Sequence, residues 1–292
     1  MKLLETFRIR AAAAVRRRKA RYGLGEKPAR LEIRLDGFDA PGPVTAEALR
    51  VDQWQDRIVE AIQWIGPVPL RITAAADHAF LPDLVRFGHR LEMPVTVRTN
   101  PEPLSVERAE ELVDRGMATC EVVTTLDGAG EAAIRALVHA RHSRAATLTV
   151  VVHFPVTAAT AAGARAVFDK ARGLGADGVV LAAPWRGFAV NAAAKEGIAE
   201  ALAQGWPLQR TAAEARAVLG SLAEGGPGVR RTSGQCALGG LRLALGPDGA
   251  ASVCPFHVGH HSGPLVDAPS ALAAHRAAVR SCDRRCGHPE LV

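Results

Sequence analysis

The chain has 292 residues, 48% of them hydrophobic and 23% charged, with a formal net charge of +6. A chain of this length buries a large core, and its composition excludes intrinsic disorder. No run approaches the roughly eighteen apolar residues that span a bilayer, and the N-terminus carries no apolar signal segment, so a cytoplasmic protein is expected.

The positive charge belongs to one arm. Residues 1–30 hold ten of the 36 basic residues against Glu5 and Glu26, which leaves 26 basic and 28 acidic residues in the rest of the chain. The body therefore gives no reason to expect nucleic acid as a partner. Lys2 to Arg21 reads as a helix with Leu3, Leu4, Phe7, Ala11, Ala14 and Val15 near one face and Arg8, Arg10, Arg16, Arg17, Arg18, Lys19 and Arg21 elsewhere. Two readings are open for it: peripheral contact with an acidic membrane surface or acidic partner, or a solvated helix packed on the body. The second is favoured.

From residue 31, short apolar runs alternate with segments of helical period. Strands are expected at Leu31 to Leu35, Pro69 to Thr73, Val95 to Arg98, Cys120 to Thr124, Leu148 to His153 and Gly178 to Leu181. Helices are expected between them at Glu47 to Trp64, Leu81 to Leu91, Ser105 to Arg115, Gly130 to Arg141 and Ala159 to Leu174. Six successive β-α units with nearly continuous apolar strands predict a parallel sheet covered by helices. Gly116 and Gly175, each just before the next strand, read as helix-ending glycines.

After Trp185 the alternation fades into a helical connector, and Gly225-Gly226-Pro227-Gly228 breaks the chain. Leu241 to Leu245 and Ala251 to Val253 flank Gly246-Pro247-Asp248-Gly249, the residues of a hairpin turn. Ser270 to Arg280 reads as a helix that delivers the chain to Cys282. The expected organisation is a basic helix at 1–30, a core at 31–190, a connector at 191–229 and a small cysteine-bearing domain at 230–292.

No cysteine precedes Cys120, which reads as a small buried side chain. The other four, Cys236, Cys254, Cys282 and Cys286, have the spacing of a metal or iron-sulfur site, and in a reducing cytosol such a set binds metal sooner than it forms disulfides. Soft thiolates suit both zinc and iron-sulfur clusters, and four of them close a tetrahedral zinc or saturate a [4Fe-4S] cubane. Two bracket the hairpin and two come from the tail. One site would thus staple the tail to the hairpin and stabilise a domain too small to hold itself by burial. Zinc remains the alternative, with His257, His260, His261 and His288 as substitute ligands.

Cys236, Gly249 and Cys254, with Pro247-Asp248-Gly249 in the turn and Pro255 after the cysteine, resemble the opening half of the SPASM or twitch domain of radical S-adenosylmethionine enzymes. Cys282-x3-Cys286 is similar to that domain's closing cysteines. Glu110 to Gly116 leading into Val122-Val123-Thr124-Thr125-Leu126-Asp127-Gly128 resembles the superfamily's fourth unit. Thr99-Asn100 resembles the end of its third strand, with Pro101 in place of a glycine, and Leu174 to Leu181 looks like its last unit. The resemblance implies an α/β fold of partial (β/α)6 TIM-like barrel type with a small C-terminal SPASM/twitch-like domain. It also implies at most one auxiliary cluster, with Cys236, Cys254 and Cys286 the firmer ligands and Cys282 the least secure.

Two features of that superfamily are missing. Its Cys-x3-Cys-x2-Cys motif directly after the first strand is replaced by Arg34-Leu35-Asp36-Gly37-Phe38-Asp39-Ala40-Pro41-Gly42, and its Gly-Gly-Glu-Pro-like end of the second strand by Thr73-Ala74-Ala75-Ala76-Asp77-His78. With no thiolate for the catalytic cluster and no glutamate for the methionine amine, the resemblance implies a degenerate member that does not cleave S-adenosylmethionine. The carboxyl ends of the strands instead carry Asp36, Asp39, Asp77, His78, Arg98, Asn100, Asp127, His153 and Arg186, a polar rim where parallel α/β folds bind ligands.

Three functions follow as expectations. The first is a pseudoenzyme keeping one [4Fe-4S] site and serving a protein or peptide partner, including an active radical S-adenosylmethionine enzyme, by substrate recognition, electron relay or docking. The second is an enzyme running non-radical chemistry at the barrel mouth, with Asp77, His78 and Arg98 as candidate acid-base or binding residues. The third is a zinc-stapled structural subunit.

Overall fold

The computed structural model describes residues 8–13, 15, 27–36, 49–102, 104–157, 159–182, 196 and 243–252. The alternation of strand and helix follows the order expected from the sequence: β1 (Leu31–Arg34), α1 (Val51–Ile65), β2 (Leu70–Thr73), α2 (Leu81–Arg90), β3 (Val95–Thr99), α3 (Val106–Asp114), β4 (Met117–Val123), α4 (Gly128–Ser143), β5 (Thr149–Pro155), α5 (Ala164–Gly173) and β6 (Gly178–Ala182). A short 3-10 turn at Ala161–Gly163 leads into α5, and β7 (Leu243–Leu245) and β8 (Ala251–Ser252) follow. The chain is of the α/β, TIM-like class, with parallel strands built from β-α units.

The described elements fall into two compact units. In the first, β1 pairs in parallel with β2 on one side and with β7 on the other, and β2 pairs in parallel with β3. Leu31, Ile33, Leu70, Ile72, Val95 and Val97 alternate along these strands and are fully buried, the apolar layer that helices cover. α1 turns Trp54, Ile58, Ala61 and Ile65 inward at three- and four-residue spacing, and α2 does the same with Leu81, Leu84 and Val85. α2 packs on β2 and β3 and meets α1.

The hairpin expected at Leu241 to Val253 forms as β7 and β8, paired antiparallel across Gly246 to Gly249. Its turn is closed by Gly246 N–H donating to the Ala250 carbonyl at 2.9 Å and by Ala250 N–H donating to Asp248 Oδ1 at 3.0 Å. The turn also seats on the start of α1, where Leu49 N–H donates to the Pro247 carbonyl at 3.0 Å. Gly249 has φ +73°, a backbone conformation that demands glycine, and a Cβ there would lie 2.6 Å from Leu49 Cδ1 and push that side-chain tip aside. β7 therefore enters the sheet beside β1, although about 200 residues separate them in sequence.

In the second unit β4, β5 and β6 pair in parallel, with Cys120, Val122, Val150, Val152, Val179 and Leu181 fully buried on one face. α4 packs on β5, and α5 on β5 and β6. Asp177 joins the strands at their amino ends. Its Oδ2 accepts from Val150 N–H at 2.7 Å and from Arg141 Nη1 at 2.8 Å, and Arg141 Nη2 donates to the Gly175 carbonyl at 3.0 Å. This is the physical content of the Gly-Ala-Asp-Gly stretch that resembles the superfamily's last unit.

Gly116 and Gly175 end helices as expected, with φ of +100° and +83°. The basic arm departs from expectation in its face. Residues 8–13 are helical with Ile9 and Ala13 buried, whereas Ala11 is exposed and Val15 is 57% exposed. Ile9 and Ala13 sit one turn apart on the same side, and Ala11 lies on the opposite one, so the packed stripe is rotated from the face first read. The remainder of the Lys2 to Arg21 segment lies outside the described residues, as do most of 183–242 and all of 253–292. No described helix is long and apolar enough to cross a membrane.

Candidate functional site

The carboxyl ends of β1, β2 and β3 lie side by side in the first unit. Leu35 N–H donates to the Thr73 carbonyl at 3.0 Å and Ala74 N–H to the Arg98 carbonyl at 3.1 Å, which extends the ladder one step past each strand. Asp36 then closes the gap: its Oδ2 accepts from Ala75 N–H at 2.7 Å. The carboxylate where the superfamily resemblance would place thiolates is thus engaged by the backbone at the end of β2.

Asp77 and His78 occupy the turn between β2 and α2. His78 N–H donates to the Ala75 carbonyl and its own carbonyl accepts from Leu81 N–H, each at 3.1 Å. Its ring packs edge-on against Phe80 with centroids 5.5 Å apart, and Nδ1 accepts from Phe80 N–H at 3.3 Å. An imidazole that accepts through Nδ1 carries its proton on Nε2, and here it orders the start of α2. Asp77 is exposed beside it.

Arg98 projects from β3 in register with Thr73 of β2, which is in register with Arg34 of β1. One rung earlier the register runs Glu32, Arg71, Thr96. These six side chains share the sheet face opposite the apolar layer, because strand residues alternate between faces. Glu32 is the carboxylate of that face. It is 1% exposed and is bracketed by Arg34 Nη2 at 3.2 Å and Arg30 Nη2 at 3.5 Å. Arg34 and Arg30 are themselves largely covered, with side chains 13% and 15% exposed. Of this group the sequence reading singled out only Arg98, because it treated the strands as continuously apolar. The signal was the strict alternation in Leu-Glu-Ile-Arg, Leu-Arg-Ile-Thr and Val-Thr-Val-Arg-Thr.

The remaining candidates stand apart from this face or belong to the second unit. Asn100 is half-buried just after β3. His153 is a buried residue of β5, in register with Val123 and Val180, and Glu121 is buried on β4. Asp127 caps α4: its Oδ1 accepts from Gly130 N–H at 3.1 Å and its Oδ2 from the Thr125 hydroxyl at 3.2 Å. Thr124 Oγ1 accepts from Leu126 N–H at 3.0 Å and occupies the space a Cβ at Gly130 would fill. The Thr-Leu-Asp-Gly stretch is thereby a helix start. Asp127→Ala is expected to cost about 1 kcal/mol in urea unfolding.

Cys120 is fully buried, and that burial, reinforced by the neighbouring Glu121 charge, raises its thiol well above the ordinary range, so it is an unreactive core residue. Among the described residues no three His, Cys, Asp or Glu side chains converge on a point that could hold a metal. Asp39, Arg186, Cys236, Cys254, Cys282, Cys286 and the histidines from His257 onward lie outside the described residues.

No protein-family model matches the chain, and no curated protein does. Solved structures do. SuiB from Streptococcus suis bound to S-adenosylmethionine aligns with a TM-score of 0.60 at 12% identity, over 91% of this chain and 70% of that one. SuiB bound to precursor peptide SuiA gives 0.59 at 11% identity over 91% and 71%. A further SuiB structure gives 0.59 at 12% identity over 88% and 68%. At such identities the likeness shows the fold alone, and that fold is the radical-SAM-like one that the sequence resemblance implies.

The donor set does not fit the superfamily's catalytic cluster. Three thiolates are needed to hold it with one iron open, and the carboxyl end of β1 offers Asp36, a hard oxygen already bonded to Ala75 N–H.

Proposed function

We propose that the chain is a radical-SAM-like pseudoenzyme that keeps one auxiliary-type [4Fe-4S] site at Cys236, Cys254, Cys282 and Cys286. It acts as a partner protein, recognising a peptide or protein substrate, relaying electrons or docking on an active enzyme. The observation that carries the reading is the end of β1. A residue of the catalytic position is turned to structural use, Asp36 tying β1 to β2, and within β1 just before it Glu32 pairs with Arg34, while the fold around them is retained. A barrel that keeps its architecture and gives up its chemistry retains a surface for binding. The SuiB structure with precursor peptide SuiA supports a peptide as the molecule recognised.

Anaerobic purification with iron and sulfide analysis tests the cluster. About four irons per chain are expected, lost when Cys236, Cys254 or Cys286 is replaced by Ser. A colourless protein that reconstitutes no cluster and holds stoichiometric zinc would overturn the iron-sulfur part and leave the zinc staple. Incubating the reconstituted protein with dithionite and S-adenosylmethionine tests the pseudoenzyme part, for which no 5′-deoxyadenosine is expected. Its formation above a protein-free background would sink that part.

A further inference from the structure

We infer that the β7–β8 hairpin is a metal-controlled strap: metal on the C-terminal thiolates holds it against β1, and loss of that metal releases the β1 edge of the sheet. The inference rests on the thiolate site proposed above and adds its regulation. β7 and β8 are three and two residues long, and a two-stranded hairpin of that size is marginal in water. Its docking is light as well. β7 pairs with β1 from Leu31↔Leu243 to Ile33↔Leu245, Leu243 N–H donates to the Arg30 carbonyl at 3.0 Å, and Leu49 N–H donates to the Pro247 carbonyl at 3.0 Å. Its buried apolar side chains are Leu243, Ala244, Leu245 and Ala251. Ordering residues 243–252 costs backbone entropy at every position, and two leucines with two alanines offset only part of it.

The sequence places a constraint at both ends of the same segment. Cys236 stands seven positions before β7 and Cys254 two positions after β8. A metal that joins these two thiolates closes the segment into a loop, which removes much of the entropy opposing the hairpin. Thiolates suit either an iron-sulfur cluster or zinc, and either one acts as the clip. What the strap covers gives its release a consequence. Ala244 is in register with Glu32 and 6% exposed, so it stands on the same face, beside the carboxylate that pairs with Arg30 and Arg34. Release of β7 therefore opens one edge of β1 and brings its buried ion pairs toward water, in the unit that carries Asp36.

The test is hydrogen–deuterium exchange of the full chain, metal-loaded and then stripped with a chelator under reducing conditions. Stripping is expected to speed exchange in 243–252 and in β1 by roughly tenfold or more, while β4, β5 and β6 keep their protection. Unchanged exchange in a chain that has lost its metal overturns the inference and leaves the proposed function standing. Exchange that rises equally throughout overturns it too, since the metal then holds the whole fold. Iron, sulfide and zinc analysis of the loaded chain separates the two claims: zinc in place of iron with the same local release supports the strap and overturns the cluster, and a chain that takes up no metal sinks both. Linkage supplies a second arm, because a weakened hairpin must in turn weaken the metal. Gly249→Ala disturbs the turn where it seats on Leu49, so zinc added to the stripped variant with a competing chelator is expected to bind about tenfold more weakly than to the parent. Equal affinity in the two chains overturns the inference.

Discussion

Gly116→Ala is expected to lower stability by about 3 kcal/mol, the sum of a disfavoured backbone conformation and an overlap with no room to relax. Gly116 ends α3 with its N–H donating to the Val113 carbonyl at 2.9 Å and with φ +100°, a region that side-chain-bearing residues rarely adopt. A Cβ built there would lie 2.2 Å from His89 Cγ, 2.5 Å from Nδ1 and 2.7 Å from Cβ, so the ring of α2 is pressed against the glycine along its whole near edge. The base of a side chain cannot swing aside as its tip can. Urea unfolding followed through Trp54, which is buried on α1 in the same unit, measures the loss. Adding His89→Ala removes the overlap with Cγ and Nδ1 but keeps Cβ at 2.7 Å, so it should return only part of the loss, about 1 kcal/mol, and leave the share that belongs to φ and to the Cβ overlap. A Gly116→Ala chain as stable as the parent would contradict this account.

The same pair shows what could be read in advance. Gly116 was legible as a helix end because glycine before a strand is a backbone signal, local in sequence. Its contact with His89 was not, because packing between two elements leaves no trace in either one's pattern. The strands were legible for a similar reason: apolar runs bounded by turn residues locate them, and β1 to β6 all formed where expected. What escaped was their second face. Reading Leu31 to Leu35 as one apolar run concealed that Glu32 and Arg34 share a side opposite Leu31 and Ile33. The parallel pairing of β7 with β1 was beyond reach as well, since a three-residue strand after a long interval carries no label for its partner.

Candidate residues divide along the same line. Asp127 and His78 were picked out as polar groups at strand ends, and both proved to serve the helix that follows, Asp127 as a cap and His78 through Phe80 N–H. A short polar side chain just before a helix is a capping signal before it is a catalytic one. Arg98 was picked out on the same grounds, yet it belongs to a row. The difference is that Arg98 sits within a strand, where nothing local requires a charge, whereas the other two sit in turns that require polar groups. A charge inside a parallel strand is the more informative signal, and Glu32, Arg34 and Arg71 carry it as Arg98 does.

Glu32→Gln is expected to cost about 3 kcal/mol, because removing one partner of a buried ion pair leaves the others uncompensated. Glu32 is a side chain in contact with Arg30 at 3.5 Å and Arg34 at 3.2 Å, all three largely withdrawn from water. Gln keeps the shape and a hydrogen-bond acceptor but not the charge, so the loss reports electrostatics. Replacing Arg30, Glu32 and Arg34 together by Met or Leu should recover most of it, since three charges leave the interior at once and apolar burial takes their place. Urea unfolding of the parent, the single and the triple variants measures both steps, and a single variant no weaker than the triple would contradict the ion-pair account.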